Sequence, residues 1–118
     1  MKLIKLGEQQ ISVAELLEMS EKMFGGLVKA VVDLKQGLML IDAELHADQE
    51  LVLLENYGSD QSYLWGINLH PDKYGTNEFV EFDSMINMRP AWNNLSRGVD
   101  SLVTQAEIVS MVKKMVKA

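Results

Sequence analysis

The stretch 27–45, "LVKAVVDLKQGLMLIDAEL", decides the fold class. Two aliphatic, β-branched runs, "LVKAVVDL" (27–34) and "LMLIDAEL" (38–45), flank the link "KQG". Such side chains suit a pleated, packed surface, and a short glycine-containing link joins two strands antiparallel. The centre of the chain is therefore predicted to be a hairpin, and its neighbours are read against it.

Toward the N-terminus, "MKLIKL" ends at Gly7 and reads as an opening strand. In "SVAELLEMSEKMFGG", Ser12 and Glu15 make an S-x-x-E capping box, and Gly25–Gly26 supply a stop, so a helix is predicted over 13–24. Toward the C-terminus, Asp48 and Glu50 favour the positive end of a helix over 48–56, closed by Gly58. "SYLWGINLH" then alternates, with Tyr63, Trp65, Ile67 and Leu69 on one face and Gly66, Asn68 and His70 on the other. Pro71, Asp72 and Gly75 mark a turn. "EFVEFDSMINMR" alternates again: Val80, Phe82, Ile86 and Met88 are expected inside, opposite Glu81, Asp83, Asn87 and Arg89, with Pro90 ending the strand. A second capping pattern, Thr104 to Glu107, precedes Ile108, Met111, Val112 and Met115 at helical spacing, and Lys113, Lys114 and Lys117 close the chain on that helix. The order β-α-β-β-α-β-β-α predicts a single compact α+β domain over 1–118, its mostly antiparallel sheet covered by helices mainly on one face.

Composition narrows the function classes. The chain has 118 residues, 47% hydrophobic and 24% charged, enough for a core without disulfide or metal staples. A net charge of -6 without a basic stripe argues against duplex nucleic acid as a partner. The absence of cysteine excludes thiolate zinc sites, disulfides and thiol catalysis. No run reaches the roughly 18 apolar residues of a membrane span, and a cytoplasmic location is expected.

Arginine usage points to a site. Nine of eleven cations are lysine, while both arginines and three of six asparagines fall within 81–97, "EFDSMINMRPAWNNLSR". A guanidinium is a rigid fork matched to carboxylate or phosphate, whereas lysine is a mobile point charge. On a strand Asn87 and Arg89 stand about 7 Å apart, Asp83 and Asn87 roughly 13 Å, and the segment after Pro90 can fold back to bring Arg97 beside them. The predicted site is Asn87, Arg89, Asn93 and Arg97, with Asp83 at its edge and Trp92 available to stack, and its ligand a small anion. The alternative is that each arginine pairs with an acid of its own chain, Asp83 or Glu81, and pins the loop.

A weaker constellation is "DAELH", where Asp42, Glu44 and His46 on alternate strand positions could converge on a cation with His70. Such a set would be carboxylate-rich, and the pattern is more often the solvated face of a hairpin, with His46 capping the following helix. If the two constellations met, His46 or Glu44 opposite two arginines would combine a base with anion stabilisation. No P-loop, G-x-S-x-G, H-E-x-x-H or dinucleotide fingerprint is present, and no cofactor is implied. Ser84 and Ser96 read as a strand-face hydroxyl and a turn residue, and Trp65 as core.

The runs "ELHADQE", "LWGINLHP" and "EFDSMINMRP" followed by "SRGV" resemble a family of small bacterial and archaeal proteins known as a domain of unknown function. The resemblance spans most of the chain and implies one compact domain. It implies no activity, substrate or residue roles. The functional expectation is thus binding of a small anionic ligand, phosphate- or carboxylate-bearing. Its rivals are a protein interaction module or homo-oligomer built on Trp92 and the helix-three methionines, and a metal-dependent hydrolase using Glu44, His46 and His70.

Overall fold

The computed structural model describes residues 1–23 and 25–118. The central hairpin is present as β3 (Val28–Asp33) and β4 (Leu38–Ile41), antiparallel in the register Val31↔Leu40 and Asp33↔Leu38. Its turn is fixed by Asp33, whose carboxylate accepts the backbone N–H groups of Lys35 (2.9 Å) and Gln36 (3.0 Å), and by Gly37 at φ 68. β4 stops four residues earlier than expected because Asp42 adopts φ 67, a left-handed conformation that cannot continue a strand. "DAEL" is consequently a crossing to the next helix, and Asp42, Glu44 and His46 do not share a strand face.

Around this hairpin the sheet grows in the order β1-β4-β3-β5-β6, every pair antiparallel, with β1 at Lys2–Lys5, β5 at Leu64–Leu69 and β6 at Val80–Glu81. Three helices cover it. α1 (Val13–Ser20) starts as read: the Ser12 hydroxyl accepts the Glu15 N–H at 3.1 Å. It ends at Ser20, and the expected end at residue 24 lies outside the described residues. α2 (His46–Asn56) begins two residues before the prediction, with Leu45 rather than His46 at the capping position. α3 (Leu102–Met115) is capped by Ser101, not Thr104; its hydroxyl accepts the Thr104 N–H. The chain closes on a strand instead of the helix, as β7 (Val116–Lys117) pairs parallel with β2 (Ile11–Ser12).

The period-2 pattern splits the core across the sheet. Ala30, Val32, Met39, Ile41, Ile67 and Leu69 face α1 and α3, meeting Leu16, Ile108, Val112 and Met115. Val31, Leu38, Leu40 and Leu64 face α2 and its Leu53. Two helices thus share one face and α2 takes the other, which explains why β3 and β4 are apolar at nearly every position.

The segment 78–89 departs most from expectation. Only Val80 and Glu81 are strand; Met85–Asn87 is a 3₁₀ turn, and Arg89 forms an isolated bridge with Asn94. Glu81 is exposed and Val80, Phe82 and Ile86 are half-buried as the alternation demands, but Met88 is 45% exposed while Asn87 and Arg89 are buried. The reversal has a structural cause. β6 pairs with β5 only at Asn68 and Leu69, leaving the first half of β5 without a strand neighbour on that edge. Asn87 fills the gap with its side chain: its Oδ1 accepts the Gly66 N–H at 2.8 Å and its Nδ2 donates to the Gly66 carbonyl at 2.9 Å. A carboxamide here stands in for the peptide group of a missing strand residue.

This pairing requires Gly66. A Cβ there would lie 2.6 Å from both Cβ and Oγ of Ser84. Gly66→Ala is therefore expected to lower stability by about 1–3 kcal/mol in urea titrations, as overpacking does. Adding Ser84→Gly, which removes the clashing atoms, should recover part of the loss.

Candidate functional site

The two arginines have different fates. Arg89 is only 8% exposed, and its guanidinium donates to the backbone carbonyls of Gln61 and, at 2.7 Å, Leu64. Its Cζ lies 4.3 Å from the Trp65 ring centroid and 5.3 Å from that of Trp92, so the cation is held between two indoles. Burial pulls its pKa down, the charge of Glu50 opposes this, and the group stays cationic. Burial in turn pushes Glu50 up, against the pull of Arg89. Both residues keep one buried atom without a partner, Arg89 Nε and Glu50 Oε2. Arg89 thus fastens the loop 85–97 to the start of β5.

Arg97 is half-exposed and faces elsewhere. Its Nε donates to Asp83 Oδ1 at 2.7 Å, the ion pair that the alternative reading named. Asn93 is exposed in the left-handed conformation at φ 60 and only turns the chain. Its neighbour Asn94, which the sequence reading passed over, is the buried organiser: its Nδ2 donates to the carbonyls of Asn87 (2.7 Å) and Gly98 (2.8 Å). Trp92 is 49% exposed and stacks on Arg89. Of the six residues proposed from sequence, Asp83 and Arg97 come together at a cavity, whereas Asn87 and Arg89 are turned to backbone.

That cavity is a cleft of about 320 Å³ on the α2 face of the sheet, where Lys29, His46, Asn68, Glu81, Asp83 and Arg97 meet. The register places Lys29 opposite Asn68 and Asn68 opposite Glu81, so the three side chains stand in a row across β3, β5 and β6 at strand spacings of about 5 Å. Asn68 Nδ2 donates to Glu81 Oε1 at 2.8 Å and to the Asp83 carbonyl at 3.2 Å. Two acceptors around one nitrogen fix the amide's orientation, and Asn68 Oδ1 is left buried without a donor.

His46, the first residue of α2, closes the cleft from above. Its Nε2 is 2.7 Å from the Ile67 carbonyl, an acceptor, so Nε2 carries the proton and Nδ1 is the free lone pair. Burial holds its pKa below the usual imidazole range, the Ile67 carbonyl and Asp83 opposing and Lys29 and Arg97 adding to the depression. A neutral imidazole with Nδ1 open beside two cationic side chains can accept a hydrogen bond donor or a proton from a bound group. The meeting of base and guanidinium considered from sequence therefore occurs with Arg97 and Lys29, and without Arg89.

The metal constellation is not assembled. Asp42 pairs with Lys22 at 3.1 Å, Glu44 is exposed, and His70 Nε2 lies 3.3 Å from Glu81. Among the described residues no group of three His, Cys, Asp or Glu side chains converges to hold an ion. Lys29 and Asn68, not among the residues proposed for the site, carried a signal: Asn68 is the lone polar side chain of β5, and Lys29 stands among the apolar residues of β3 ahead of its terminal Asp33.

The molecule so defined is an α+β domain with a five-stranded antiparallel sheet and a polar, mixed-charge cleft beneath the start of one helix. A family model described as "Protein of unknown function (DUF5674)" matches residues 4–115, and the chain belongs to that family. Comparison with curated proteins and with solved structures gave no match. No helix among the described residues is long and apolar enough to cross a membrane.

Two outcomes are expected. Arg89→Lys keeps the charge but loses the fork to two carbonyls and the indole stacking, so urea unfolding should show a loss of about 1–3 kcal/mol. The folded pKa of His46 lies below that of the unfolded chain, near 6.5, so the unfolded state takes up the proton first. The stability it contributes is complete above about pH 6.5 and is lost as pH falls toward the depressed folded value. His46→Gln, whose amide can still donate to Ile67, should flatten this part of the stability–pH curve.

Proposed function

We propose that the protein binds a small ligand bearing a phosphate or carboxylate group in the cleft, with Lys29 and Arg97 as its charge partners, Asn68 on its floor and His46 above. The observation that supports this most is Lys29. It is half-buried on the cleft wall, and among the described residues no carboxylate lies within ion-pair distance of its ammonium. A shielded cation without a counter-ion attracts an anion more strongly than one in bulk water. Arg97 adds the donors that Asp83 leaves free. Thermal unfolding in inorganic phosphate and in acetate tests the reading. A saturable rise in melting temperature is expected, with apparent affinity falling about tenfold or more in Lys29→Gln. No saturable rise, or an equal one in Lys29→Gln and Arg97→Gln, would remove it.

A second reading rests on the loop fastened by Arg89, which exposes Met85 (64%), Met88 (45%), Trp92 (49%) and Leu95 (69%). Apolar side chains gathered on one loop suit a contact with a second copy of the chain. The helix-three methionines do not contribute, since Met111 and Met115 are buried. Sedimentation that stays monomeric over a hundredfold concentration range would dismiss this reading.

A further inference from the structure

Resting on the cleft reading, we infer that the ligand is a zwitterion: a small amino acid or aminoalkyl phosphate whose ammonium group lies toward Glu81 while its anionic group meets Lys29. The cleft holds two cationic and two anionic side chains, and His46 is kept neutral by burial. Its fixed charge therefore sums to zero: Arg97 and Asp83 are joined in one ion pair, while Lys29 and Glu81 stand apart. Lys29 and Glu81 flank Asn68 in the strand row, one on either side, roughly 10 Å apart at the backbone. A simple anion drawn to Lys29 meets the repulsion of Glu81; a ligand with both signs satisfies each end.

The hydrogen-bond inventory agrees. The cleft is short of donors, not of acceptors: among the described residues neither His46 Nδ1 nor Asn68 Oδ1 has a donor. Glu81 Oε1 receives Asn68 Nδ2 and lies 3.3 Å from His70 Nε2, and its Oε2 is free of any hydrogen bond among the described residues. An ammonium brings three donors to a surface of this kind, whereas acetate brings none and hydrogen phosphate only one.

The experiment compares probes on the wild-type chain by calorimetric titration and by backbone amide shifts of Lys29, Asn68 and Glu81. The probes are acetate, inorganic phosphate, ethylammonium, glycine, β-alanine, 4-aminobutanoate and phosphoethanolamine. At least one zwitterion is expected to bind tenfold or more tightly than acetate, phosphate and ethylammonium, shifting those three amides. Glu81→Gln, which keeps an oxygen for Asn68 Nδ2, should abolish that advantage over the simple anions. If acetate or phosphate binds as tightly as every zwitterion, the inference fails while the anion site stands. If ethylammonium binds best, or no probe binds, both readings fail. A zwitterion preference that survives Glu81→Gln also overturns the assignment of its ammonium end.

Discussion

A single carboxamide decides how the second half of this chain can fold. β5 has β3 on one side along its whole length, but β6 reaches it only at two residues, so Gly66 would face the loop with an unpaired N–H and C=O. Asn87 satisfies both, and its Nδ2 also reaches the Arg97 carbonyl at 3.0 Å. A buried peptide group without a partner costs on the order of 1–3 kcal/mol, so the pairing constrains every neighbour. Gly66 must lack a Cβ to admit Ser84, the chain must turn at 85–87 to aim Asn87, and Asn94 must hold the return segment. Arg97 and Asp83 reach the cleft because this loop is fixed.

The hairpin was legible because β-branched runs around a glycine link have one economical arrangement, and α1 because Ser12 and Glu15 mark its start. The misreadings share a cause. Alternation over 78–89 is real as a pattern, yet Asn87 and Arg89 are buried for their backbone hydrogen bonds, a role that polarity scales score as surface. Likewise Asp42 ends β4 through a left-handed φ that an aspartate tolerates, which no periodicity reveals. The candidate site was half legible. Asp83, Arg97 and His46 were singled out, but the strand register that sets Lys29 beside Asn68 and Glu81 depends on pairings distant in sequence.

The scarcity of arginine also finds its explanation in geometry. Arg89 occupies a position where a fork must serve two carbonyls while its flat face lies between Trp65 and Trp92. Lysine has neither the rigid fork nor the flat face. Arg97 has the looser task of balancing Asp83 at the cleft mouth, and the two guanidiniums that look like one anion trap in sequence divide into a fastening and a charge partner.

The parallel pairing of β2 with β7 bears on the order in which the molecule assembles. Ile11 meets Val116, and nearby Gln10 Nε2 donates to the Lys114 carbonyl at 3.1 Å across 104 positions of chain. Closing so long a loop is entropically unfavourable until the intervening chain is ordered, and a two-residue ladder returns little. The central hairpin, with its local turn, belongs to the early steps of folding; this clasp belongs to the last, and its opening is the first step by which the folded chain comes apart.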